Sequence, residues 1–268
     1  MLEFIHMAKS FQWSTQRRMQ VITTNIANAK TPGFKLQRIN MESILPTPFE
    51  DVIAEMVAEG DIIKKKRRHM EYGLASRIID TQRKFEQGSL EFTNRPLDLA
   101  IVGGRGLFQY RLSDGRIAYS KAGNMKTDNE GYIVDPNGHR LEPAIQIPQG
   151  TTDFMINEEG RVFVQLDNEP VQQEIGQIVL ADFDNIEALR SYGQNLFIQT
   201  LLSGDPILRR PSEEGAGRIS QNTLELSNVN LIEEMMNMMI THRSFEYCVN
   251  AQSSVEDLLK EAMKLTDR

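Results

Sequence analysis

From Leu2 to Ala29 the chain contains neither Pro nor Gly, and Phe4, Ala8, Phe11, Thr15, Met19, Ile22, Ile26 and Ala29 recur at gaps of three or four. That spacing lines one face of a helix. The helix is expected to stop at Thr31-Pro32-Gly33, because Pro32 disfavours helical backbone at Thr31 and Gly33 accepts the positive φ of a terminator. At the other end, Asn230 followed three residues later by Glu233 reads as a capping box, and no Gly or Pro interrupts the chain from there to Arg268. One heptad line collects Leu231, Met238, Phe245, Gln252 and Leu259, and a second collects Met235, His242, Val249, Glu256 and Met263. The polar members His242, Gln252 and Glu256 make this a poor two-stranded zipper and a better fit to a helix with several neighbours. Met235, Met236, Met238 and Met239 suit either an adaptable contact or simple core filling.

Between these helices the period changes. Ser113-Asp114-Gly115, Asp128-Asn129-Glu130-Gly131, Pro136-Asn137-Gly138 and Asn157-Glu158-Glu159-Gly160 are turn signals separating short β-rich runs at residues 107–112, 117–121, 132–134, 161–166 and 177–183. The pattern is that of an antiparallel sandwich or barrel-like domain, without the strand-then-helix alternation of a nucleotide-binding parallel sheet. The expected fold is α+β: long N- and C-terminal helices paired as a coiled-coil-like module, with an inserted antiparallel β-rich core. The expected boundaries are residues 1–35 with 226–268 for the helical module, 36–80 for a connector and 81–225 for the core. In the connector, Pro46 and Pro48 interrupt the pattern and residues 49–59 read as a short amphipathic helix. Lys64-Lys65-Lys66-Arg67-Arg68 would suit phosphates or anionic lipid, but without interleaved aromatics it reads better as a solvated loop or a subunit contact.

Composition narrows the function. The 268 residues carry 30 basic and 37 acidic side chains, a net charge of −7, so no nucleic-acid partner is expected. No apolar run approaches the ~20 residues that cross a bilayer, so no membrane insertion is expected. Lys9, Gln12, Arg17 and Arg18 interrupt the amino terminus before the core of a cleaved secretion signal forms. A single cysteine, Cys248, makes no intrachain disulfide, and His6, His69, His139 and His242 share no metal-ligand spacing, so neither a metal nor a cofactor is expected. The glycine-rich stretch Val102-Gly103-Gly104-Arg105-Gly106 lacks the Lys-Ser/Thr of a phosphate loop and is read as tight turning beside a sheet. No GxSxG elbow occurs, and nothing singles out two of Asp98, Asp114, Asp128 and Asp135 as a catalytic pair, so no catalytic residue is assigned. A β-domain enzyme or carbohydrate binder with helical dimerisation arms, and a coiled-coil adaptor, are the alternatives of other classes. Trp13, the sole tryptophan, lies on the first helix and so supplies no sugar-stacking platform in the core.

Asn25-Ile26-Ala27-Asn28-Ala29-Lys30-Thr31-Pro32-Gly33-Phe34-Lys35 resembles the signature at the helix-to-core junction of the bacterial flagellar rod and hook proteins. Ser227-Asn228-Val229-Asn230-Leu231-Ile232-Glu233-Glu234 and the methionines after it resemble the family's second signature. Gln87-Gly88-Ser89-Leu90, Arg95-Pro96-Leu97-Asp98 and Tyr119-Ser120-Lys121-Ala122-Gly123-Asn124 follow the family's core in order, so the resemblance spans nearly the whole chain. Residues 176–183, Tyr192-Gly193-Gln194-Asn195 and Ser203-Gly204 are most similar to the distal-rod branch, while Arg95-Pro96-Leu97-Asp98 is also at home in the proximal-rod branch. The cationic run and the helix-like residues 49–59 depart from the family's usual connector.

The resemblance implies a structural subunit of the flagellar basal-body rod, with no catalysis. It would polymerise through its terminal helices into a helical tube that spans the periplasm and transmits torque to the hook. It implies export through the flagellar type III apparatus without a cleaved signal peptide. The implied partners are further copies, other rod and hook proteins, the export apparatus and the surrounding ring proteins. The seam residues expected to carry polymer contacts are Phe4, Phe11, Met19, Ile22 and Ile26 on the first helix, and Leu231, Met235, Met238, His242, Phe245, Val249 and Leu259 on the last. Asn25, Asn28, Pro32, Gly33, Phe34, Ser227, Asn228, Asn230, Glu233 and Glu234 are the signature positions.

Overall fold

The structure is a computed structural model that describes residues 2–43, 76–167, 171–213 and 215–266. The helix expected over residues 49–59 and the cationic run Lys64-Lys65-Lys66-Arg67-Arg68 lie outside the described residues. Helix α1 (Leu2–Ala27) and helix α2 (Leu231–Thr266) enclose in sequence a middle of antiparallel strands, an α+β arrangement. Asn230 caps α2, its side-chain oxygen accepting the backbone N–H of Ile232 at 3.1 Å and of Glu233 at 3.4 Å. The return half of the expected capping box is not made: the Glu233 carboxylate instead meets Arg38 at 2.9 Å.

The middle is built as the turn signals suggest. Its largest sheet runs Arg190–Gly193, Leu196–Ile198, Ile117–Ser120, Phe108–Arg111, Arg140–Leu141, Ile133–Val134, Lys126–Thr127, with neighbours antiparallel. The turn at 135–139 illustrates how composition sets these reversals. Gly138 takes φ +89°, and one oxygen of Asp135 accepts the N–H groups of Asn137 and His139 at 2.9 and 2.8 Å. A three-strand sheet of Thr151–Ile156, Arg161–Leu166 and Gln173–Gln177 and several two-strand ladders complete it.

Successive side chains of a strand point to opposite faces, and here both faces are covered. Phe108, Tyr110, Ala118, Leu180 and Leu196 join one buried cluster with Leu99, Ile101, Ile133, Leu141, Val162, Ile178 and Ile219. Their chain neighbours Leu107, Tyr119, Ala181 and Phe197 join another with Phe183, Ile186 and Leu189, where Tyr119 and Phe183 meet edge to face at 4.8 Å. This double burial explains the adjacent apolar pairs Leu107-Phe108, Leu180-Ala181 and Leu196-Phe197, whose members face opposite sides. The glycine-rich stretch serves close packing: a Cβ on Gly104 would lie 2.2 Å from the backbone nitrogen of Gly217.

By internal packing the chain forms two compact units. One comprises Ile22–Arg38 and Gln82–Asn237 and holds both clusters; the other comprises Met1–Val21, Ile39–Thr81 and Met238–Arg268. In the second unit the hydroxyls of Ser14 and Thr15 both donate to the Phe11 carbonyl at 2.8 Å, and the Cys248 thiol donates to the Ala8 carbonyl at 3.7 Å. Cys248 is thus a packed thiol, half-buried.

Candidate functional site

The signature residues converge inside the core unit, at the last turns of α1 and the first turn of α2. Asn25, in the last turns of α1, is 1 % exposed. Its oxygen accepts the Gln37 N–H at 3.0 Å, and its amide donates to the Gln37 carbonyl and to Glu234 Oε2, both at 2.9 Å. One side chain therefore fixes the first residue of the strand Gln37–Ser43 and the first turn of α2. Asn228 does the same one step away: its oxygen accepts the Leu36 N–H at 2.8 Å, and its amide donates to the carbonyls of Lys84 and Glu86 at 3.0 and 3.2 Å. Asparagine suits both places because its amide copies the donor–acceptor pair of a peptide unit.

Between them the chain turns sharply. Asn28 donates to the Thr24 carbonyl, Thr31 donates to Asn28, and Pro32 offers its carbonyl to the Asn195 amide at 3.0 Å. Gly33, at φ +67°, donates its N–H to the Glu225 carbonyl at 2.7 Å, and a Cβ there would stand 2.4 Å from the backbone nitrogen of Ala122. Only glycine fits that position. Phe34 is buried behind it.

Beneath the turn lies a set of buried charges. Lys35 Nζ and Glu225 Oε1 are 2.5 Å apart with side chains 0 and 1 % exposed. Lys35 also donates to the Glu86 carbonyl at 2.7 Å, and Glu225 Oε1 accepts the Gly88 N–H at 2.9 Å. Lys121, equally buried, donates to the Gly104 carbonyl at 2.9 Å. Burial pulls its pKa down to about 8; Glu225 opposes that shift and Lys35 adds to it. Each ammonium is held by a backbone carbonyl and Lys35 also by Glu225, whose second oxygen is buried without a hydrogen bond; the contacts are those of a packed structural element. Among the described residues no group of three or more His, Cys, Asp or Glu side chains is placed to hold a metal ion.

Of the signature residues, Ser227 and Glu234 are buried with Asn25, Gly33 and Phe34; Asn28, Pro32 and Asn228 are half-buried; Asn230 and Glu233 are exposed. The expected seam residues divide. On α1, Ile22 is buried, Met19 and Ile26 are half-buried, and Phe11 is exposed; the covered line adds Ala8, Ser14, Thr15 and Val21. On α2, Met238 and Phe245 are half-buried, while Leu231, Met235, His242 and Val249 are exposed. The inward line runs through Glu234, Met238, Thr241, Phe245, Cys248, Gln252 and Val255, so its second heptad position falls one residue before the expected one. The side chains of Phe4 and Leu259 lie outside those described. Sequence reasoning missed Glu225, and it quoted Lys121 within the core match without giving it a role. The one local signal was a charge set between apolar residues, as in Phe34-Lys35-Leu36 and Leu224-Glu225-Leu226.

Comparison with known proteins agrees with this geometry. Residues 14–35 match the model of the flagella basal body rod protein, residues 101–164 that of the flagellar hook protein FlgE/F/G D1 domain, and residues 220–265 that of the flagellar basal body rod FlgEFG protein C-terminal. The FlgG rod protein of Caulobacter vibrioides is 34 % identical over 98 % of this chain and 99 % of its own length. That of Borreliella burgdorferi is 34 % identical over 99 % of both. The hook protein FlgE of Salmonella typhimurium is 32 % identical over 51 % of this chain and 32 % of its own. These full-length matches do not favour the proximal-rod alternative, FlgF. The chain belongs to the flagellar basal-body rod protein FlgG family, structural subunits of the distal rod and not enzymes.

Proposed function

We propose that this rod subunit polymerises through its terminal helices into a helical tube. The observation that carries this reading is the outward side of α2. Ile232, Met235, Met236, Met239, Ile240 and Tyr247 are all exposed there, on a helix whose first turn is anchored by Asn25 and Glu234. A soluble monomer has no use for such a surface, and neighbouring copies would bury it. The inward line through Met238, Phe245, Cys248 and Val255 would pair with α1 in a coiled-coil-like manner within one subunit. In that division, residues 1–35 with 226–268 are the polymerising module, 36–80 the connector and 81–225 the outer core.

As a member of a rod and hook family located in the flagellar basal body, the chain associates with its own kind and with other rod and hook proteins. Among the described residues no helix is long and apolar enough to cross a membrane. The finer reading is a subunit exported by the type III apparatus, spanning the periplasm inside ring proteins and passing torque to the hook. Met239→Asp tests the helix surface. Since Met239 is exposed, the variant's unfolding free energy should stay within about 0.5 kcal/mol of wild type. Tube formation by the full chain, followed by electron microscopy, should be lost, because a charge without a partner would be buried in the contact. Normal tubes from this variant would remove α2 from the interface.

A further inference from the structure

We infer that residues 200–208 are a second copy-to-copy contact: a rigid leucine knob that seats in an aliphatic groove on the core of a neighbouring copy. The inference rests on the polymer reading above, and it concerns the β-rich core rather than the helices.

The turn that follows strand Leu196–Ile198 has its polarity inverted. Ser203 is fully buried: its N–H donates to the Thr200 carbonyl at 3.2 Å, and its hydroxyl accepts the Thr200 N–H at 2.9 Å. The Thr200 hydroxyl donates to the Ala188 carbonyl at 2.9 Å. With its polar residues locked inward, the turn presents Leu201 and Leu202 at 103 and 81 % exposure. Ile207 and Leu208 follow within eight residues, both exposed, on the strand Ile207–Arg209, whose described pairing is with Leu180–Asp182 alone. A floppy apolar loop can fold away from water, but a hydrogen-bonded one cannot, so this patch stays exposed until a partner covers it.

The same unit carries a matching socket. Leu90, Val102, Met155, Ile156 and Ile219 line a groove of about 480 Å³, where Leu90 and Met155 remain exposed. That size lies within the roughly 300–1,000 Å³ of cavities that enclose small ligands, ample for two leucine side chains. Arg218 on its rim is held by Glu158 at only 3.7 Å, and exposed Asp205 beside the knob has the opposite charge. Neither leucine lines the groove of its own chain. A protein bearing both parts at separate places satisfies both only head to tail, and such a contact propagates, whereas a knob-on-knob contact closes at two copies.

Disulfide trapping on the full chain tests this, with Cys248→Ser in every sample. Leu202→Cys combined with Met155→Cys should give, on oxidation, a ladder of covalent multiples. The single variants, and Leu202→Cys with Asp114→Cys on a distant turn, should give none. A missing ladder, a ladder no stronger than that control, or a dimer from Leu202→Cys alone overturns the inference. Leu201→Ser with Leu202→Ser should raise the concentration needed for assembly at least about tenfold at unchanged melting temperature, and an unchanged concentration also overturns it. Electron microscopy of the same samples separates the two ideas: tubes without the ladder leave the rod reading intact and refute the knob.

Discussion

Replacing Glu225 with Gln should destabilise the core unit by about 3 to 5 kcal/mol, the range for removing one partner of a buried ion pair. The Lys35 ammonium, 0 % exposed, would keep the Glu86 carbonyl at 2.7 Å but lose the carboxylate at 2.5 Å. Gln preserves the shape and can still accept the Gly88 N–H, so the measured loss reports the charge rather than a cavity. At about 2 to 4 °C per kcal/mol for a unit of this size, the melting midpoint should fall by roughly 6 to 20 °C. Circular dichroism against temperature and against urea at neutral pH would measure it, with an unchanged urea slope showing that the same surface unfolds. The double variant Lys35→Met, Glu225→Leu removes both charges and should recover about half the loss or more. A Glu225→Gln midpoint within about 2 °C of wild type would refute the reasoning, since the buried ammonium would then not depend on its carboxylate.

Lys121 predicts a pH effect of known sign. Its folded pKa of about 8 lies below 10.5, so the unfolded chain binds the proton more tightly and stability rises with pH between those values. The burial penalty, on the order of 3 kcal/mol, is fully present below about pH 8 and fades above it. Lys121→Met should therefore gain on wild type by about 2 to 3 kcal/mol more at pH 7 than at pH 10 in urea titrations. The raised pKa of buried Tyr110 lowers stability at the alkaline end in both proteins and cancels in the comparison. A pH-independent difference would remove Lys121 as the cause. At the junction, Gly33→Ala should cost at least about 2 kcal/mol, because its Cβ meets the backbone of Ala122 and Lys121 at positive φ. Gly138→Ala, also at positive φ but with nothing within 4 Å, should cost only about 1 kcal/mol, and equal losses in thermal melts would discount the close approach.

Much of the site was legible because it is local. The Thr31-Pro32-Gly33 stop, the Asn230 cap and the turn at Gly138 depend on a few adjacent residues, and each takes the expected backbone. Asn25 and Asn228 were picked out as signature positions, but their partners were not, since Asn25 meets Glu234 across 209 residues of sequence and Asn228 meets Leu36 across 192. Which line of α2 faces inward within the subunit was not legible for a related reason: Glu234 turns inward to Asn25 and the Cys248 thiol to the Ala8 carbonyl, partners more than 200 residues away in sequence.

The sequence by itself determined the helical ends, the β-rich middle and the family, because periodicity, caps and turn residues act over a few positions. Only the tertiary structure decided which charges pair, which glycine touches backbone, and which apolar side chains are left facing out. Those outcomes depend on distant segments arriving at one place, where a carboxylate 190 residues away makes a buried lysine tolerable.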